Sequence, residues 1–144
     1  MRLSTRGEYS SLLMMELAIN YGKGPLLLKD IGKAQDISLK YLGQLIIPLK
    51  VAGLIKSIRG SRGGYFIARP PDKITIAEIL ESSEGSLYIV DCIESPEICY
   101  KSKDCIAREI WQEASEAFLK VVKSITLKDM VNRDLKKERD NFVV

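Results

Sequence analysis

A glycine-rich basic segment between two β-prone runs constrains the fold more than any other feature of this 144-residue sequence. The two runs cover residues 54–58 and 65–68. The residues between them are Arg59, Gly60, Ser61, Arg62, Gly63 and Gly64. Short apolar runs around such a segment predict a β-hairpin with a basic tip. Because the other periodic segments are helical, the chain is predicted to be mainly α with one small β element.

Three helices are predicted before the hairpin. A Ser/Thr-x-x-Glu capping box from Thr5 to Glu8 predicts the start of the first helix, which should stop near residues 22–25. A short second helix is predicted at 28–35. Ser38 is a good N-cap for a third helix.

The third helix is predicted to be amphipathic. Its predicted buried stripe is Leu39, Leu42, Ile46 and Leu49. Its predicted outward residues are Lys40, Tyr41, Gly43, Gln44 and Ile47. Pro48 predicts a kink or an end within one turn, and Gly53 is the predicted stop.

Three short helices followed by a basic hairpin form the pattern of a winged helix-turn-helix. In that fold the third helix enters the DNA major groove and the hairpin, or wing, lies along the backbone or minor groove. The distribution of charge also indicates DNA binding by the first half of the chain. Residues 1–75 carry 12 Lys and Arg against 5 Asp and Glu, whereas residues 76–144 carry 10 against 14. The residues predicted to contact double-stranded DNA are Arg2, Ser38, Lys40, Tyr41, Gln44, Arg59, Gly60, Ser61, Arg62 and Gly63.

The second half of the chain is predicted to contain a loop and a long helix. A capping box at Thr75 and Glu78 predicts a short helix to about residue 81, and Asp104 is a candidate cap for the long helix. The apolar positions of that helix are Ile106, Ile110, Ala114, Phe118, Val121 and Ile125. Because little chain remains to cover this face, we predict pairing with a second copy in a homodimer. The predicted division is 1–72 for the winged domain, 73–104 for a short helix and loop, 105–135 for the dimerisation helix and a short terminal helix, and 136–144 for a tail.

All three cysteines, Cys92, Cys99 and Cys105, lie in the predicted loop, and the chain contains no histidine. Without histidine every His-based catalytic or zinc site is excluded, which narrows the possible enzymes. Together with the DNA-binding pattern, this leads us to expect no enzymatic activity. The spacing is not the Cys-x2-Cys of a structural zinc site. Three thiolates suit an iron–sulfur cluster, although three unligated thiols remain an equal alternative from spacing alone. With no signal peptide and no membrane-spanning stretch, a cytoplasmic protein without a membrane partner is expected.

Several segments together resemble the iron–sulfur cluster regulators, often called IscR-like. They are Met-Arg-Leu-Ser at 1–4, Ile-Ser-Leu-Lys-Tyr-Leu at 37–42 with Gln-Leu at 44–45, Ala-Gly-Leu at 52–54, and Arg-Gly-Ser-Arg-Gly-Gly-Tyr at 59–65. The resemblance extends to about residue 132. It implies a dimer of crossed long helices, binding to palindromic operators, and a 2Fe-2S or 4Fe-4S cluster held by Cys92, Cys99 and Cys105.

Two positions depart from the pattern of these regulators, and a third matches only some of their branches. Arg108 stands where the best-known members have a histidine ligand. Glu8 matches the acidic position that other branches supply from the partner subunit, so it is the candidate fourth ligand. Gly43 stands where several relatives carry an acidic side chain on the recognition helix.

The sequence-based hypothesis is a homodimeric transcription regulator that reports cluster status, nitric oxide or redox state through the loop. A cluster-free regulator controlled by thiol oxidation or by a protein partner is the alternative. An electron-transfer or cluster-carrier protein is a remote one, because the basic wing would then have no purpose.

Overall fold

The computed structural model describes residues 2–142, while Met1, Val143 and Val144 lie outside the described part. The helices are α1 (Thr5–Ile19), α2 (Leu28–Gln35), α3 (Leu39–Val51), α4 (Ile76–Glu84), α5 (Ile106–Ser124) and α6 (Leu127–Phe142). The strands are β1 (Ile55–Ile58) and β2 (Gly64–Ile67), and short 3₁₀ turns cover Pro71–Lys73, Asp91–Ile93 and Pro96–Ile98. The predicted fold class, mainly α with a β wing and a long helix, is confirmed.

The winged domain follows the predicted order of elements. Ser38 caps α3, where its hydroxyl accepts a hydrogen bond from the Tyr41 N–H at 3.2 Å. The helix ends at Val51, within one turn of Pro48, as predicted. Strands β1 and β2 pair antiparallel, with Ile55 opposite Ile67.

Two local predictions in this domain are wrong. The cap of α1 is Ser4, whose hydroxyl accepts from the Gly7 N–H at 3.1 Å, so Thr5 is already helical and forms no capping box with Glu8. In α3, Leu39 is 55% exposed whereas Leu45 is 1% exposed. The packing of α3 on its neighbours therefore selects a buried face rotated from the predicted stripe.

Backbone hydrogen bonds fasten the wing to the chain segment before α2. The Leu26 N–H donates to the Tyr65 carbonyl and the Tyr65 N–H donates to the Leu26 carbonyl, each at 2.8 Å. Gly64 lies at this crossing with φ of +151°. Its missing side chain allows the close approach, because a Cβ there would lie 2.5 Å from the Leu26 carbonyl oxygen.

The predicted capping box at the start of α4 is confirmed. Thr75 Oγ1 accepts from the Glu78 N–H at 3.2 Å, while the Glu78 carboxylate accepts from the Thr75 N–H at 2.9 Å and pairs with Arg69 at 2.8 Å. Burial alone would raise the pKa of Glu78. The hydrogen bond from the Thr75 backbone and the neighbouring Arg69 guanidinium outweigh it, so the pKa is lowered.

The ends of α5 and α6 differ from the predictions. Cys105, not Asp104, is the N-cap residue of α5. Helix α6 continues to Phe142, so the prediction of a tail is wrong for residues 136–142. Thr126 and Asp129 start α6 with reciprocal hydrogen bonds, which stop the α5 helix from running on through this point.

One core joins the winged domain to the second half of the chain. The Ile76 N–H donates to the Ile125 carbonyl and the Leu127 N–H donates to the Ile74 carbonyl, both at 2.9 Å. Leu127 is fully buried in the same cluster as Leu13 of α1. The start of α6 is thus part of the winged domain's core.

An apolar stripe along α5 is exposed in the single chain. Its large members are Ile106, Ile110, Trp111 and Val121, of which Ile110 is 53% exposed. These are largely the positions from which the sequence predicted dimerisation. Across residues 2–142, no helix is long and apolar enough to cross a membrane.

Candidate DNA-binding surface and cysteine loop

The first turns of α3 present an exposed polar face. Ser38, Lys40 and Gln44 are exposed there, as predicted. The Ser38 cap fixes the start of the helix, whose unpaired N–H groups and positive dipole end favour phosphate binding. Gln44 lies one turn after Lys40, so both side chains reach the same side of the helix.

Tyr41 departs from its predicted outward position. Its side chain is half-buried and its ring meets Tyr9 edge-on, with centroids 5.7 Å apart and an interplanar angle of 80°. Part of this residue therefore anchors α3 to α1, which stiffens the start of the recognition helix.

The wing tip is a tight basic turn. Arg59, Ser61 and Arg62 are exposed, and the Gly63 N–H donates to the Gly60 carbonyl at 3.0 Å. Gly60 has φ of +114°, a conformation that glycine adopts without strain. The turn therefore projects two arginines from a narrow backbone, a shape suited to a DNA groove.

A groove of about 980 Å³ lies beside α3 and includes an arginine that the sequence pattern did not indicate. Arg6 at the start of α1 and Glu84 at the end of α4 line it together with Gln44. Arg2 is exposed and lines a second cavity, of about 420 Å³, between α1, α4 and α5, and its contact with DNA stays a prediction. Arg6 carried no distinguishing sequence signal, because its place depends on how α1 packs beside α3.

The three cysteines lie at separate points of the loop between α4 and α5. Cys92 is within a 3₁₀ turn, Cys99 follows the next turn, and Cys105 occupies the N-cap position of α5 without a side-chain capping hydrogen bond. All three are free thiols of intermediate exposure. The loop thus offers reactive groups to solvent without a disulfide to lock it.

Two α5 side chains hold the loop against the helix. The Arg108 guanidinium donates to the carbonyl of Cys92 at 3.0 Å and to that of Ile93 at 3.4 Å. The fully buried Ser115 hydroxyl accepts from the Ile89 N–H at 3.0 Å. The sequence marked Arg108 only as a residue in place of a metal ligand, whereas in the structure Arg108 clamps the loop.

The residue types in the loop favour a metal site, whereas their positions in the single chain do not. Three thiols suit the iron of an iron–sulfur cluster. Nevertheless, within residues 2–142 no three His, Cys, Asp or Glu side chains are grouped so that they could hold a metal ion. The cysteines of the described single chain are therefore not grouped, and a cluster held by all three would require the loop to bring them together. Glu8 is exposed on α1, and its role as a ligand from a partner subunit stays a prediction.

Comparisons with known proteins agree on one family. A family model described as "Iron-dependent Transcriptional regulator", Rrf2, matches residues 3–133. CymR of Bacillus subtilis is 39% identical over 132 residues, covering 92% of this chain and 91% of the relative. Its structure, titled as that of the global cysteine regulator, superposes with a TM-score of 0.77 and covers 92% of this chain and 98% of that one.

Two further solved structures match closely. T. potens IscR is 35% identical with a TM-score of 0.76, covering 100% of this chain and 93% of that one. The oxidized form of Staphylococcus aureus CymR is 33% identical with a TM-score of 0.73, covering 91% and 96%. The names of these relatives describe regulators rather than enzymes. The chain belongs to the Rrf2 family of winged-helix transcriptional regulators.

Proposed function

We propose that this regulator binds a palindromic operator as a homodimer and that its cysteine loop controls the binding. The observation that carries the proposal is the exposed polar start of α3 beside a wing with two exposed arginines. A recognition helix with this face fits the major groove, and the wing fits the adjacent backbone or minor groove.

Individual contacts follow from side-chain chemistry. Gln44 has the amide that pairs bidentately with adenine, so it is the proposed base reader. Lys40, Arg59 and Arg62 carry charge without base selectivity and supply phosphate or minor-groove contacts. Gly43 adds no side chain, so discrimination on this face rests on Gln44.

The exposed stripe on α5 supports the dimer. Ile106, Ile110 and Val121 would cost free energy if they stayed in water, and a second α5 would cover them. Two recognition helices related by a twofold axis read half-sites about one helical turn apart.

The DNA-binding proposal is tested with duplexes selected from a random pool by the wild-type protein. Gln44→Ala should weaken binding to the selected duplex by about 1–3 kcal/mol and relax the preference at one base pair of each half-site. Lys40→Ala should weaken all duplexes alike. Lys136→Ala on α6 serves as the charge control and should leave affinity unchanged. Equal effects of Gln44→Ala on selected and random duplexes would refute the base-reading role.

Two candidate signals act on the loop. An iron–sulfur cluster held by Cys92, Cys99 and Cys105, with Glu8 of the partner subunit, is supported by the donor set, by the family description and by the similarity to T. potens IscR. Thiol oxidation without a cluster is supported by three separated, partly exposed thiols and by the similarity to a CymR crystallised in an oxidized form.

The visible absorption spectrum of protein purified without oxygen, with iron and sulfide measured per chain, separates these candidates. Broad visible absorption in the wild type that is lost in Cys99→Ala but kept in the neighbouring Ile98→Ala supports the cluster. A colourless, iron-free protein whose operator affinity changes on mild oxidation supports the thiol signal. An operator affinity that changes neither with loss of a cluster nor with thiol oxidation refutes control through the loop.

A further inference from the structure

Glu84 links two parts of the chain that are 80 positions apart. It is the last residue of α4, and its carboxylate oxygen Oε1 accepts a hydrogen bond from the Ser4 N–H at 3.3 Å and another from the Ser4 hydroxyl. The same hydroxyl caps α1 by accepting from the Gly7 N–H at 3.1 Å. Glu84 therefore contacts the residue that caps α1.

Gly7 provides the room for this contact. A Cβ at position 7 would lie 2.5 Å from Glu84 Oε1, well inside van der Waals distance. The buried glycine lets the carboxylate sit directly against the first turn of α1, where the positive end of the helix dipole favours a negative group.

On its other side Glu84 leads directly into the cysteine loop. Gly85 follows with φ of +81°, a turn that ends α4 and starts the path to Cys92. That path is held to α5 at Ser115 and Arg108. The backbone of residues 85–91 is therefore the route by which a displacement of the loop would reach the end of α4.

We propose that Glu84 is a positioning residue that couples the cysteine loop to the start of α1, which lines the groove beside α3. This inference rests on the proposed function. A change in the loop that moves the end of α4 withdraws the carboxylate from Ser4. The start of α1 then loses this contact, and Arg6, which lines the same groove as Gln44, shifts relative to the recognition helix.

The test compares operator affinity in two states of the loop, fully reduced and alkylated with iodoacetamide. In the wild type the two affinities should differ by about 5- to 150-fold, the usual range of allosteric coupling. Glu84→Ala should bring this ratio to near unity. Glu84→Gln retains an oxygen that accepts from Ser4 and should restore the ratio. Glu81→Ala removes the same charge from an exposed position one turn earlier and should leave the ratio intact.

A reciprocal measurement excludes a merely structural effect. If loop and DNA surface are coupled, the selected duplex must shift the equilibrium of a reversible thiol modification, mixed-disulfide exchange with oxidised glutathione, by the same factor by which that modification changes operator affinity, and this shift should be lost in Glu84→Ala. Urea unfolding of each variant shows whether it is folded. If Glu84→Ala is not folded, the affinity ratio of Glu84→Gln is compared with that of Ser4→Ala, which removes the hydroxyl that contacts Glu84.

The outcomes separate this inference from the proposed function. A wild-type ratio well above one that persists in Glu84→Ala overturns the role of Glu84 and leaves loop control standing. A wild-type ratio of one overturns loop control and, with it, the coupling through Glu84. Loss of the ratio in Glu81→Ala as well assigns the effect to charge and overturns the positioning role.

Discussion

Replacing Gly64 by alanine tests whether the wing is held by its crossing with the segment before α2. The new Cβ would lie 2.5 Å from the Leu26 carbonyl oxygen and 2.8 Å from its carbon. Both atoms are backbone, so no side-chain rotation relieves the clash. The φ of +151° is also a conformation that residues with a side chain rarely adopt. The chain must therefore separate the Leu26–Tyr65 pair.

The expected loss of stability is the sum of three contributions. Strain at an unfavourable backbone conformation costs about 1–3 kcal/mol. The two hydrogen bonds between Leu26 and Tyr65 contribute about 1 kcal/mol each. Alanine restricts the unfolded chain and returns about 0.4–1 kcal/mol. Gly64→Ala should therefore lower the free energy of unfolding by about 2–5 kcal/mol.

Urea unfolding followed by far-ultraviolet circular dichroism measures this loss, at one protomer concentration because the protein is expected to be dimeric. Gly22→Ala is the matched control, since Gly22 has φ of +81° but a methyl group on its Cα would meet no atom within 4 Å among the residues described. It should lose only the strain contribution, less the same return from the unfolded chain, or roughly 0–3 kcal/mol. A Gly64→Ala variant no less stable than Gly22→Ala would refute the close-approach argument.

Four further predictions address the helix, the wing, the dimer face and acid stability. Gly43→Ala should raise the free energy of unfolding by about 0.5–1 kcal/mol, measured with urea, because nothing lies within 4 Å of the added carbon within the described chain and alanine is a better helix former. The double variant Arg59→Ala/Arg62→Ala should make the fall of log affinity with log salt concentration less steep, by about 0.9 for each phosphate that the wing no longer neutralises. An unchanged slope would show that the wing does not contact the DNA. Ile110→Glu should convert the dimer to monomer in sedimentation velocity, whereas a persistent dimer would place the interface elsewhere. The pKa of Glu78 is lowered from 4.5, so the stabilising contribution of its carboxylate is present above that pH and is lost as the pH falls. Glu78→Gln should therefore make the free energy of unfolding decline less steeply as the pH is lowered from about 5. An unchanged dependence of this free energy on pH would contradict the argument.

Elements specified by nearby residues were predictable from the sequence. The Ser38 cap, the Thr75–Glu78 capping box and the wing each depend on residues within a few positions of one another. Their hydrogen bonds form between neighbours in the chain, so tertiary packing does not have to select them. The exposed polar residues Ser38, Lys40 and Gln44 and the basic wing tip could therefore be located correctly from local patterns.

Predictions failed where two local solutions are nearly equivalent. Ser4 and Thr5 can each cap α1, and the choice of Ser4 goes with the Glu84 carboxylate that reaches it from the end of α4. Leu39 and Leu45 both fit a helical period, and only the packing of α3 buries the second. A hydrophobic pattern locates the apolar face of a helix but does not determine which residues at the edges of that face are buried in the core.

The sequence by itself determined the chemistry of this regulator: a histidine-free chain with a basic winged domain, three thiols in one loop and a long amphipathic helix. The tertiary structure alone decided how these parts meet, namely Arg108 on the carbonyls of the cysteine loop, Arg6 beside Gln44, and Glu84 against Ser4. The physical reason is sequence separation. Contacts between residues 16 to 80 positions apart depend on the relative placement of whole helices, which no local pattern records.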